Sequence, residues 1–190
     1  PANTDEDLSY TECTDDLNRV CAGLENGADD AGYVLSTISD SGFFYELKAS
    51  YAKNMVTGFI RLNGQTVGAV ANRSVILGED GEAAEKFDSA LTVEGCEKAA
   101  EFVNFCDTFH IPVLSLVNVK GYAATIAEEK KMAKAVAKLT YSFASATVPK
   151  VSVVTGEAYG SAYLTMNSKS IGADIVYACP EASICRMDAQ

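Results

Sequence analysis

The run Thr155-Gly156-Glu157-Ala158-Tyr159-Gly160-Ser161-Ala162 carries a β-branched stretch into a short helical pattern that reaches about Asn167. A strand that ends in small residues and enters a helix leaves the first backbone N–H groups of that helix without intrahelical acceptors. No bulky side chain stands over Ser161 and Ala162, so those donors can approach a ligand oxygen closely. The helix dipole adds potential that favours negative charge there. Donors placed in this way stabilise an enolate or a ureido oxyanion, each typically contributing about 3–4 kcal/mol to lowering the barrier. Glycine and serine also begin helices for structural reasons alone, so both readings of the turn stay open at this point.

Other chemistries find less support. Ser161 at a strand-to-helix turn resembles a nucleophile elbow, but G-x-S-x-G is absent because Tyr159 stands two residues before it. A serine or cysteine nucleophile needs a base beside it. The one histidine, His110, precedes Ile111-Pro112 at the end of a helical pattern and reads as a structural residue. Neither G-x-x-x-x-G-K-[ST] nor G-x-G-x-x-G occurs, which removes both common phosphate cradles. Six cysteines (Cys13, Cys21, Cys96, Cys106, Cys179, Cys185) include no C-x-x-C pair, so no metal site is expected. Without a secretory signal they read as reduced thiols of a cytoplasmic protein, with Cys96 and Cys106 as small core residues. Lys130, Lys131, Lys134 and Lys138 form a basic helix face, which reads as solvated.

These residues must be held by a folded scaffold, and the chain has the means to build one. Its 190 residues are 48% hydrophobic and 22% charged, suited to one domain and a little more. No stretch reaches the 18 apolar residues of a membrane helix, and the start on Pro1 implies processing or excision from a longer chain. Net charge is −11, which argues against binding nucleic acid or anionic membranes. Residues 1–30 hold nine carboxylates against Arg19, a net of −8, leaving −3 for the remaining 160. Residues 1–32 are therefore expected to be an acidic leader or linker containing one or two short helical pieces.

The compact part has a clear rhythm. Two β-rich runs, 56–62 and 66–70, flank Asn63-Gly64, which supplies the two positive-φ residues of a type I′ hairpin. A charged, Gly-rich loop over 78–85 precedes a helix over 93–109 with Ala99, Phe102, Val103 and Cys106 on one face. A strand follows over 113–117, then a helix over 126–146 with Met132, Val136, Leu139 and Phe143 inward. Another strand spans 151–154, and two short ones are expected over 175–178 and 182–187. Alternation of this kind after a hairpin predicts an α/β fold with helices packed on the sheet.

Several runs resemble one family in order and spacing. They are Ala52-Lys53-Asn54, Gly58-Phe59, Asn63-Gly64 with Val67-Gly68, Ala99 through Asp107, and Ile111-Pro112. Further on come Ala137-Lys138-Leu139, Ala146 through Val151, Glu157 through Tyr163, and Tyr177-Ala178. Across residues 33–190 the chain resembles the carboxy-terminal domain of biotin-dependent acyl-CoA carboxyltransferases, which serve carboxylases, transcarboxylases and decarboxylases. The resemblance implies an α/β crotonase/ClpP-like ββα superhelix, cut short at its carboxyl end and inactive in isolation. It implies biotin on a biotin carboxyl carrier protein as cofactor, a short-chain acyl-CoA as substrate, and no metal in this domain.

The implied partners are a biotin carboxylase subunit or a membrane-bound decarboxylase, and the amino-terminal carboxyltransferase domain of a second subunit in a homo-oligomer. The backbone amides of Ser161 and Ala162 fall on the family's biotin-side oxyanion hole. Gly160, Tyr163, Leu164, Gly121 and Tyr122 fall on its substrate-binding surface. The implied mechanism needs no side-chain base: released CO2 and a ureido anion do the proton and carbon chemistry, with both anions held by oxyanion holes.

Departures from the family pattern bear on function. Asn118-Val119-Lys120-Gly121-Tyr122 stands where members carry Asp-Val-Pro-Gly-Phe, so proline rigidity is lost, a charge is gained, and Gly121 is left to set the loop's shape. Ser161 replaces a glycine, Leu164 an aspartate of several carboxylases, and Cys179 a tryptophan. Two alternatives follow: a non-catalytic module that docks the biotin carrier, and a crotonase-like acyl-CoA hydrolase using Ser161.

Overall fold

The computed structural model describes residues 18–21, 24–27, 29–78 and 80–187. Residues 1–17 of the expected acidic leader lie outside the described residues, as does the end of the chain from 188. The described part of the leader includes one 3-10 turn, Leu24–Gly27.

A helix not foreseen from sequence follows: α1, Ala31–Ile38. Its eight residues include glycine, serine and threonine, so propensity gives little help. Capping and tethering do more. Asp30 accepts from the Gly32 and Tyr33 amides with one carboxylate oxygen and from the Leu77 amide, at 2.9 Å, with the other.

The main sheet begins with three antiparallel strands, β1 (Phe44–Leu47), β2 (Met55–Leu62) and β3 (Gln65–Asn72). The β2–β3 turn is as expected, with Asn63 at φ 53° and Gly64 at φ 76°. The segment expected as a Gly-rich loop is instead crossed by a small hairpin, β4 (Val75–Leu77) with β5 (Ala83–Lys86). Its exposed, charged residues show no strand alternation, and cross-strand pairing supplies the order.

Next come the short strand β6 (Ala90–Leu91), helix α2 (Val93–Thr108), β7 (Val113–Val119) and short β8 (Gly121–Tyr122), which pairs with β6. Helix α3 spans Ile126–Ser145, and β9 (Lys150–Tyr159) runs directly into the short helix α4 (Gly160–Thr165). Strands β10 (Ile175–Ala178) and β11 (Ser183–Cys185) close the described chain. In the main sheet the order is β1-β2-β3-β7-β9-β10, parallel from β3 onward, with β11 also paired to β9.

Alternate residues of each strand serve opposite faces, as a period of two requires. Val113 and Val117 of β7 join the core beneath α2 and α3, with Val103, Leu139 and Phe143. Leu114 and Leu116 face the other way, into the core covered by α1 with Val34, Leu35 and Ile60. Full burial of a side chain such as Leu139 or Phe143 contributes about 1.5–3 kcal/mol. Helices α2 and α3 share a start: Thr92 and Thr125 cap them, and the Glu128 carboxylate accepts from the Val93 amide at 2.7 Å. Cys96 and Cys106 are core residues, as expected, and burial pushes both thiols up to about 12.

Three buried cations tie loops to this frame. Arg73 forks onto Glu46 and donates to the Lys53 carbonyl. Lys150 donates to the Phe143 and Ala146 carbonyls at the end of α3. Lys98 donates to the Met55, Tyr51, Lys48 and Ala52 carbonyls at 2.7, 2.8, 3.1 and 3.5 Å.

Candidate functional site

In parallel sheets with helical crossovers, ligands bind beyond the carboxyl ends of the strands. Here β7 and β9 end side by side, β7 leading into Lys120 and β8, and β9 into α4. The residues singled out from sequence cluster at this end.

The β9–α4 turn is shaped by Gly160, whose φ of +55° is disfavoured for a side chain. A Cβ there would also stand 3.0 Å from the Arg186 carbonyl oxygen. Tyr159 occupies the N-cap position and offers no side-chain cap. Ser161 and Ala162 are therefore the second and third residues of an uncapped helix start, where amides lack acceptors one turn earlier. The Ser161 side chain is exposed, while Ala162 is buried at 1% exposure and anchors the turn in the core. Tyr163 packs against that core from a half-buried position, and Leu164 is 45% exposed.

The second group approaches from β8. The Tyr122 hydroxyl lies 3.4 Å from Thr165 Oγ1, which itself donates to the Ser161 carbonyl. The structure thus brings Tyr122 and α4 together. Gly121 does not set the loop's shape as expected, because its φ is not positive and a Cβ would meet only open space. Pairing of β8 with β6 holds it instead, supported by Lys120 N–H to the Ser89 carbonyl and Ala123 N–H to the Leu91 carbonyl.

Contacts that the sequence reading did not assign support the turn. The Asn118 side chain accepts from the Glu157 amide at 3.0 Å and donates to Asp29 at 3.3 Å. Gly156 leaves room for it, since a Cβ there would come within 2.7 Å of Asn118 Oδ1. Lys120 pairs with Glu157 at 3.2 Å. Thirty-nine residues separate Asn118 from Glu157, so no local pattern signals the contact.

The geometry removes the nucleophile reading of Ser161. His110 is exposed and sits before β7 begins, whereas Ser161 lies past the far end of the parallel strand β9. The seven residues of β7 lie between these levels, about 20 Å at the usual rise, so the histidine cannot serve the serine. Cys179 lines a cavity of about 380 Å³ together with Cys21, Leu24, Val34 and Thr155. Among the described residues no three His, Cys, Asp or Glu side chains are grouped to hold a metal ion. Among them, too, no helix is long and apolar enough to cross a membrane.

A mixed sheet with α2 and α3 on one face, and a short helix starting at the strand ends, defines an α/β protein of the crotonase-like class. Within that class the carboxyl transferase domain model matches residues 2–190, and the chain belongs to that family. It is 39% identical over 198 residues to a propionyl-CoA carboxylase beta chain of Roseobacter denitrificans, covering 100% of this chain and 37% of the relative. Identity to the methylmalonyl-CoA carboxyltransferase 12S subunit of Propionibacterium freudenreichii subsp. shermanii is 38% over 197 residues, covering 100% and 36%. A solved transcarboxylase 12S structure, a hexamer assembly with hydrolysed methylmalonyl-coenzyme A bound, matches with a TM-score of 0.81 and 38% identity. That match covers 98% of this chain and 36% of the other. The chain spans a little over a third of the length of these relatives.

Proposed function

We propose that residues 33–190 form the carboxybiotin-side unit of an acyl-CoA carboxyltransferase. The parent enzyme moves a carboxyl group between biotin on a carrier protein and a short-chain acyl-CoA such as propionyl-CoA or methylmalonyl-CoA. The observation that carries the reading is the uncapped start of α4 at the joint end of β7 and β9, in a chain of this family. The donor set fits a ureido ring: two adjacent amides for its oxygen, beside the exposed apolar side chain of Leu164 and the half-buried ring of Tyr122. Bound biotin supplies a ring nitrogen that carries or releases the carboxyl group.

The chain's own residues hold and orient. The amides of Ser161 and Ala162 donate to the ring oxygen and stabilise negative charge on it, with no reorganisation at the moment of reaction. Leu164 and Tyr122 shield that charge from water, which strengthens the same hydrogen bonds. No side-chain base is required, consistent with the distance of His110. The parent assembles as a homo-oligomer in which an amino-terminal carboxyltransferase domain of a second subunit supplies the other wall. It works with a biotin carboxyl carrier protein and with a biotin carboxylase or a decarboxylase partner.

The test is isotope exchange in the full-length parent with its biotinylated carrier. Labelled carboxyl should pass between methylmalonyl-CoA or malonyl-CoA and biotin. Carrier binding with zero exchange on any of these thioesters would leave only a docking role.

A further inference from the structure

Just before the strand ends at this site, side chains bridge a lapse in the backbone ladder. The β7–β9 register runs Val117 opposite Val154, then resumes with Val119 opposite Ala158. Two more residues are consumed on β9 than on β7, so the ladder lapses across Thr155–Glu157. Three side-chain contacts cross the gap. Thr155 Oγ1 donates to the Val117 carbonyl at 3.2 Å, and the Glu157 amide donates to Asn118 Oδ1 at 3.0 Å. Lys120 Nζ stands 3.2 Å from Glu157 Oε2. The other oxygen of Glu157 lies 3.4 Å from the Tyr159 hydroxyl, itself 3.3 Å from Ser183 Oγ on β11.

We propose that the Lys120–Glu157 ion pair is a positioning clasp that fixes the β8 segment bearing Tyr122 against the β9–α4 turn. It rests on the carboxyl-transfer reading above. The pair joins the residue just before Gly121 to the residue three before Gly160, so its two ends belong to the two walls of the site. Half-exposed charges linked in this way add little to global stability. Their effect is on alignment, where a misplacement of about 1 Å can cost on the order of 100-fold in rate. Where relatives of the family pattern have a proline that stiffens the loop, Lys120 ties it down through charge.

The experiment uses the full-length parent with its carrier and compares Lys120→Met, Glu157→Gln and the exchanged pair Lys120→Glu with Glu157→Lys. Each single change should lower kcat for carboxyl exchange roughly tenfold, within the alignment effect above, while leaving KM for acyl-CoA nearly unchanged. The exchanged pair should recover to within about threefold of wild type, which a loss of bulk or packing would not allow. Amide hydrogen exchange should quicken over 120–122 and 160–165 in the single variants and return to the wild-type rate in the exchanged pair.

Full activity in both single variants overturns the clasp, as does an exchanged pair no better than either single. If wild type shows no carboxyl exchange, the carboxyl-transfer reading fails, and the amide measurement alone then decides whether the clasp holds the two segments together.

Discussion

Replacing Lys98 with methionine isolates a buried tether that gathers four backbone carbonyls. The side chain is 2% exposed, and its ammonium reaches four carbonyl oxygens of the 48–55 segment, two of them at 2.7 and 2.8 Å. Methionine keeps the volume and removes every donor. Burying the ammonium offsets part of its bonding, whereas carbonyls stripped of a partner each cost about 1–3 kcal/mol. Stripping the two nearest carbonyls, those of Met55 and Tyr51, of their donor should therefore destabilise the chain by about 3–4 kcal/mol. At about 2–4 °C per kcal/mol for a domain of this size, Tm should fall by about 10 °C.

Urea unfolding followed by far-UV circular dichroism measures the change. Burial pushes the Lys98 ammonium down to about 8 from 10.5, with Glu46 opposing. Between those values the unfolded chain holds a proton that the folded one has lost, so this group makes stability rise with pH. Cys96 and Cys106 act in the reverse sense, since thiols raised from 9.0 to about 12 withdraw stability as pH climbs through that range. Both proteins share the cysteines, so the gap between wild type and Lys98→Met should widen from pH 8 to 10. A loss below about 1 kcal/mol at pH 7 refutes the tether, whereas a gap that narrows with pH refutes the lowered ammonium pKa.

Gly160→Ala forces a side chain to φ +55° against the Arg186 carbonyl; it should cost about 1–2 kcal/mol and slow carboxyl exchange at least tenfold in the parent enzyme, read by exchange kinetics beside a urea titration. Ser161→Ala keeps the backbone donor and should leave exchange within about threefold, whereas loss by several orders of magnitude would restore a nucleophile. Burial works to raise the Asp107 pKa, but hydrogen bonds from the Thr147 amide and hydroxyl and the Val148 amide outweigh it and hold the carboxyl below its usual range. Its contribution is present above the unfolded value of 3.8 and lost as pH falls through the lower folded value, so the Tm gap to Asp107→Asn should shrink on acidification.

Much of the frame was legible because it rests on local signals. Asn63-Gly64 dictates its turn, and the β-branched runs of β7 and β9 leave little choice but strand. The strand, small residues and helix around Gly160 were legible for the same reason. Other elements draw their order from partners distant in sequence. Helix α1 depends on Asp30, which also grips Leu77, and β1 depends on its ladder with β2. The supports of the site were hidden likewise. Lys120 stands out in the sequence as a departure from the family pattern, but its partner Glu157 lies beyond any local window. Gly121 shows the opposite case, a conspicuous residue in an unremarkable conformation.

Strand β9 changes neighbours along its length, pairing with β10 over Val151–Val154 and with β11 over Glu157–Tyr159. Its root is clamped between two parallel ladders, while its tip leans on a different neighbour across the slip opposite β7. Mechanically it is two struts joined at a knee, and the joint sits between the deep core and the reactive end. Motion at the tip can then proceed without loosening the root, so protection from solvent deuterium should drop in a single step past Thr155 rather than fade gradually toward Tyr159.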